Sequence, residues 1–156
     1  MANITAAAVN ELRKRTGVGM MDCKKALVEC DGDMDKAIDY LREKGQKLAA
    51  KRADRDASEG AVLATVNADK TFAAVIMMNC ETDFVAKNED FVAFTREVLQ
   101  TAVDAKAKSL EEVMALTING LSVETMIVEQ VAKIGEKITL SHYYPIEAVA
   151  TYAYVH

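Results

Sequence analysis

Gly60-Ala-Val-Leu-Ala-Thr-Val-Asn-Ala-Asp-Lys-Thr-Phe-Ala-Ala-Val-Ile-Met-Met78 is the stretch in which the periodicity of the chain changes. Residues 61–66 and 71–78 are short runs of strand-forming residues, and the turn formers of 67–70 lie between them. This combination predicts a β-hairpin. The second run, Phe72-Ala-Ala-Val-Ile-Met-Met78, is apolar at consecutive positions and not only at alternate ones. A strand of that kind is expected to be covered on both faces.

Downstream of the hairpin, residues 81–88 read as a turn and a long helix follows. Asn88 can cap it, Glu89 and Asp90 suit its first turn, and Phe91, Phe94, Thr95, Val98 and Ala102 fall on one side. Ser109 and Glu112 have the spacing of a capping box for a second, short helix. Ser122 can cap a third, which carries Met126, Ile127 and Val131 and would end at Gly135. Residues 137–140 and 148–155 read as strands. The order β-β-α-α-α-β-β predicts an α+β domain over residues 60–156, with an antiparallel sheet packed with helices. The sequence stops at Val155-His156 inside an alternating pattern, which predicts a truncated form of a longer protein.

Upstream, residues 1–45 read as three short helices. Thr5 can cap the first, Val9 and Leu12 face inward, and Gly17 lies past its end. The second runs from about Gly19 to Cys30, with Met20, Cys23, Leu27 and Cys30 on one face. Asp33 can cap the third, where Met34, Ala37, Ile38 and Leu41 recur at helical spacing up to Gly45. Each stripe is narrow, so the three are expected to close on one another as a separate module. Residues 46–59 are rich in Lys, Arg, Asp and Ala and read as an exposed, partly helical linker. Its Lys47, Lys51, Arg52 and Arg55 could touch RNA, against the simpler reading of a solvated helix face.

Composition narrows the function classes. The chain has 156 residues, 51% of them hydrophobic, a single proline and a net charge of −5. This is the make-up of a folded globular protein, without the basic excess of a general nucleic-acid binder. Cys23, Cys30 and Cys80 are odd in number and unpaired in spacing, and with only two histidines they form no zinc-type ligand set. Met-Ala-Asn-Ile-Thr-Ala-Ala-Ala-Val-Asn-Glu-Leu-Arg-Lys-Arg15 has charges where a leader peptide would be apolar. The expected location is the cytoplasm.

No catalytic constellation stands out. His142 and His156 have no evident partner to orient them. Thr16-Gly-Val-Gly19 follows a helix and lacks the Lys and Ser/Thr of a phosphate-binding loop, so a turn needing positive φ explains it. Cys23 lies beside Lys24 and Lys25, which would favour a thiolate, but its place on an apolar stripe fits a buried structural thiol. The most unusual segment is Asn79-Cys-Glu-Thr-Asp-Phe-Val-Ala-Lys-Asn88. It places Phe84 and Val85 beside the charge of Asp83 in a strand-to-helix connection. Two readings are open: a hydrophobic staple folded onto Phe91, or an aromatic anchor presented to a partner.

Three stretches carry a family resemblance. Thr16-Gly-Val-Gly-Met-Met-Asp-Cys-Lys-Lys-Ala-Leu27 resembles the first signature of elongation factor Ts. Asn79-Cys-Glu-Thr-Asp-Phe-Val-Ala-Lys-Asn88 resembles the second, and Val131-Ala-Lys-Ile-Gly-Glu-Lys-Ile138 is similar to a third shared stretch. The resemblance runs over the whole chain, although the family usually continues into a second, related half of its core domain. It implies a ubiquitin-associated-like module over residues 1–45 that docks on elongation factor Tu through Arg13, Met20, Met21 and Lys24. Helical periodicity places Met20 inward and favours Met21. It also implies that Thr82, Asp83, Phe84 and Val85 form a wedge that disturbs the partner's magnesium site, with Ile134 and Gly135 beside it. The implied function is guanine-nucleotide exchange on elongation factor Tu, with no cofactor and no covalent chemistry. The alternative is a truncated fragment that docks without efficient exchange.

Overall fold

Side-chain caps fix where the helices begin. In the computed structural model, which describes residues 3–156, Thr5 accepts a hydrogen bond from the Ala8 amide and opens α1 (Ala6–Thr16). Gly17 closes α1 with φ 69° while its amide donates to the Arg13 carbonyl, the left-handed ending for which glycine is suited. α2 (Met20–Glu29) follows, and Asp33 Oδ1 accepts from the amides of Asp35 and Lys36 to open α3 (Met34–Lys51). Next come β1 (Glu59–Val66), β2 (Phe72–Cys80), the one-turn α4 (Asp83–Ala86), α5 (Glu89–Asp104) and α6 (Leu110–Ala115). β3 (Thr117–Ile118), β4 (Leu121–Ser122), α7 (Val123–Ile134) and β5 (Thr139–Glu147) complete the order. The fold is α+β, with helices at the N-terminus and an antiparallel sheet packed against helices.

Two compact units result. Met1–Asp54 with Val128–Glu136 forms a helical unit, and Arg55–Ile127 with Lys137–His156 forms a sheet unit. α7 passes from the second into the first. In the helical unit Val9, Leu12, Val18, Cys23, Ala26, Leu27, Ala37 and Leu41 make one buried cluster, against which Ala132 packs. The expectation that α3 ends at Gly45 is corrected, because the helix runs on to Lys51. Gly45 is there for space: a Cβ at this position would lie 2.9 Å from the Ala132 Cβ and 3.3 Å from the Val128 carbonyl oxygen. Met20 is also corrected. It is 49% exposed, and the inner face of α2 consists of Cys23, Ala26 and Leu27, with Cys30 only half-buried.

In the sheet unit β2 is central, antiparallel to β1 on one side and to β5 on the other. Asn67 sets the hairpin: its Oδ1 accepts from the amides of Thr71 and Phe72. Phe72, Ala74, Ile76, Met78 and Cys80 point to one buried face. α5 lies against β1 and β2, and its buried Phe91, Phe94, Thr95, Val98, Leu99, Ala102 and Val103 form the core of this unit. Asn88 caps α5 through Asp90 and Phe91. Ser109 caps α6 through the Glu112 amide, and the Glu112 carboxylate reaches the Lys108 amide one residue outside the expected box.

Three further expectations differ. The second face of β2 is not fully covered: the register aligns Val62, Ala64 and Val66 with Met77, Val75 and Ala73, and these in turn with His142, Tyr144 and Ile146. Tyr144 and Ile146 on that face are 62% and 63% exposed. Residues 148–155 are not a strand; the Ala148 and Thr151 amides donate to Thr71 and Lys70 at the hairpin turn instead. β3 and β4 were not anticipated, although Asn119-Gly120, both with positive φ, is a strong two-residue hairpin signal.

Gly45→Ala should therefore destabilise the protein by about 1–3 kcal/mol, the overpacking cost exceeding the roughly 1 kcal/mol gain in helix propensity. Gly19→Ala, with nothing within 4 Å of its added Cβ, should stay within about 1 kcal/mol of wild type in urea unfolding.

Tyr143 supplies a pH-dependent term. Its hydroxyl donates to the Ala107 carbonyl at 2.8 Å, and burial, aided by the Glu112 charge, pushes its pKa up to about 12. The neutral form is favoured in the fold, so this contribution is complete below the ordinary tyrosine range near 10 and lost as pH rises toward 12. Alkaline unfolding of Tyr143→Phe should begin at higher pH than that of wild type.

Candidate functional site

The connection from β2 to α5 is built as a rigid corner. Cys80, fully buried at the end of β2, donates its thiol to the Thr82 carbonyl at 3.2 Å. Thr82 Oγ1 accepts from the Val85 amide at 3.4 Å and caps α4. The Val85 carbonyl then accepts from Asn88, the residue that caps α5. Between these anchors Phe84 is 83% exposed, Val85 is half-buried and Phe91 is buried. Phe84 is therefore not folded down as a staple. A large aromatic held outward on a capped, hydrogen-bonded turn loses little freedom on meeting a partner.

Asp83 stands next to it and pairs with Lys87 at 2.9 Å. The Lys87 hydrogen bond and charge hold the Asp83 carboxyl below the usual range. The pair is solvent-exposed, so breaking it to make another costs little.

Glu81 ties the corner to the rest of the unit, a role that its position in the sequence did not reveal. Its Oε1 accepts from the Lys137 amide at 2.7 Å, and the Arg55 guanidinium approaches its other oxygen at 3.6 Å. The Lys137 ammonium donates to the Arg55 carbonyl at 3.0 Å. One carboxylate thus joins the end of β2, the entry to β1 and the approach to β5.

The remaining predicted residues lie in the helical unit. Arg13 is exposed on α1, and Met20, Met21 and Lys24 are exposed on α2, with Met21 at 67%. Val28, one further turn along α2, is exposed as well. Ile134 and Gly135 close α7, and Gly135 has φ 81°. Thr82–Val85 belongs to the sheet unit, apart from these groups in the division of the chain.

The enzyme-like candidates have structural explanations. Cys23 is fully buried and its Sγ donates to the Val18 carbonyl; burial pushes its pKa up, away from a reactive thiolate. His142 does have a neighbour, with Nδ1 2.8 Å from Ser141 Oγ. Ser141 also bonds Asn79 Oδ1, whose own amide nitrogen donates to the Glu59 carbonyl. The Ser141 hydroxyl is thus engaged by Asn79 within the pairing of β2 with β5, a structural role. No helix among the described residues is long and apolar enough to cross a membrane.

Glu81→Ala should remove the charged acceptor that Glu81 gives to the Lys137 amide and cost about 1–3 kcal/mol. Hydrogen exchange should quicken at Lys137 and across residues 81–88, while the amides between β1 and β2 stay protected.

Two family models match the chain: "Elongation factor Ts, mitochondrial, N-terminal" over residues 1–49 and "Elongation factor TS" over residues 81–156. Among curated relatives, elongation factor Ts of Christiangramia forsetii is 54% identical over the whole of this chain and 56% of its own length. The proteins of the same name from Flavobacterium johnsoniae and Rhodopirellula baltica are 52% and 51% identical over the whole chain, covering 48% and 47% of theirs. The chain spans about half the length of the relatives it matches. The signatures quoted from the sequence, the pinned corner and these matches over both units place the chain in the elongation factor Ts family.

Proposed function

We propose that this chain binds elongation factor Tu in its GDP-bound and nucleotide-free forms and promotes GDP release by disturbing the partner's magnesium site. The reading is carried by Phe84, an aromatic side chain exposed to 83% on a corner pinned by Cys80, Glu81, Thr82 and Asn88. In this reading Thr82–Val85 is the wedge. Phe84 enters an apolar gap beside the magnesium site, and Asp83 trades Lys87 for a hydrogen bond to the displaced helix. Arg13, Met20, Met21 and Lys24 dock the helical unit on the partner's nucleotide-binding domain. Ile134 and Gly135 are further partner-binding residues.

Linkage supplies the mechanism. A factor that prefers the nucleotide-free partner must weaken GDP by the same factor by which GDP weakens it. Moving the groups that hold Mg²⁺ removes the main compensation for β-phosphate charge, and GDP then leaves faster. No covalent step is involved in this reading. The exposed Met20, Met21 and Lys24 on α2 support one further reading, a docking module that binds elongation factor Tu without efficient exchange.

Release of fluorescent GDP from elongation factor Tu, titrated with this chain, tests the proposal. Phe84→Ala should lower the plateau rate about tenfold or more, as expected when an anchor worth on the order of 2 kcal/mol is lost from the displaced state. Its unfolding free energy should move by no more than about 0.5 kcal/mol. Met21→Ala should raise the half-saturating concentration and leave the plateau in place. A Phe84→Ala change confined to half-saturation would reduce Phe84 to a docking residue. Binding of the wild-type chain without any acceleration would establish the docking-only reading.

A further inference from the structure

The helical unit carries a groove of about 260 Å³ along α3 that no role given above uses. Leu41, Gly45 and Leu48 form its apolar side, and Lys44, Lys47 and Lys51 stand exposed beside them. We propose that this groove docks an acidic peptide segment carrying one apolar anchor side chain.

Spacing and charge give the occupant. Leu41, Gly45 and Leu48 follow one another at i, i+4 and i+7 on one helix face; Ala132 packs against Gly45, so the apolar floor of the groove is made by Val18, Leu41, Leu48 and Ala132. Lys44, Lys47 and Lys51, at i, i+3 and i+7, run as a parallel cationic stripe. The whole chain has a net charge of −5, yet the groove holds three lysines against one acid, Asp22. Lys44 pairs with Asp22 at 2.7 Å and Lys47 with Glu43 at 2.9 Å, both in exposed pairs; Lys51 makes no ion pair among the described residues. Exposed pairs of this kind are readily exchanged for carboxylates of an incoming chain. An apolar floor flanked by lysines on one side matches a peptide that presents an aliphatic side chain and carboxylates from one face. Single-stranded RNA fits less well, because the groove has no aromatic side chain on which a base could stack. The proposal is independent of nucleotide exchange and of the Phe84 corner.

A fluorescein-labelled peptide with a central leucine flanked by glutamates, titrated with the full chain and followed by anisotropy, provides the test. Saturable binding is expected, weakening as salt is raised. The double variant Lys47→Glu/Lys51→Glu and the variant Leu48→Ser should each weaken binding about tenfold or more, with urea midpoints confirming that both are folded. Replacing the peptide's leucine by serine should have the same effect with the wild-type protein. The proposal is overturned if the peptide fails to bind at about 1 mM protein, or if binding ignores these substitutions. It is also overturned if an oligouridylate of equal charge binds as tightly as the peptide and is indifferent to Leu48→Ser, which would assign the lysines to nucleic acid.

Discussion

β2 is hydrogen-bonded along both edges, and the sheet unit is organised around that fact. Its buried face supplies Phe72, Ile76 and Met78 to the core under α5, and its C-terminal end delivers Cys80 and Glu81 to the corner. A strand held on two sides cannot slide without turning its apolar residues away from α5. Gly60 shows how tight the pairing is: a Cβ there would lie 2.3 Å from the Met78 carbonyl oxygen. The position of Phe84 thus follows from strand register together with the hydrogen bonds of the corner.

The local half of this architecture was legible in the sequence. Thr5, Asp33, Asn88, Ser109 and Ser122 all cap as their spacing indicates, because a cap is a bond between residues two or three apart. The exposure of Phe84 could not be chosen over a staple from sequence, since both readings use the same residues. Gly45 was misread because the reason for it, Ala132, lies far along the chain. Residues 148–155 alternate like a strand, but alternation gives no information about whether an edge is available. Met20 followed the helical period and still lies exposed, because it opens α2 and the inner face starts one turn later at Cys23. Glu81 offered no signal, as Lys137 and Arg55, with which it bonds, are remote in sequence.

In the proposed exchange reading, the corner and α2 divide two physical tasks. Met20 and Met21 on α2 present flexible thioethers, which adapt to a surface at little cost. Phe84 is presented on a turn fixed by a thiol, a hydroxyl and a carboxylate, so force applied to the ring is passed to the sheet. Adaptable contact suits affinity, while a stiff mount suits displacement of a group in a partner.

The partly uncovered face of the three-stranded sheet has a calorimetric consequence. Val62, Val75, Tyr144 and Ile146 meet water in the folded chain, so their hydration is already counted before unfolding begins. The heat-capacity increment on melting arises from apolar surface that is newly wetted. For this chain the increment should fall below the roughly 12–15 cal/mol/K per residue usual for globular proteins. Its stability curve would then be flatter than that of a protein of equal length with a closed core, and stability would vary less between cold and warm conditions.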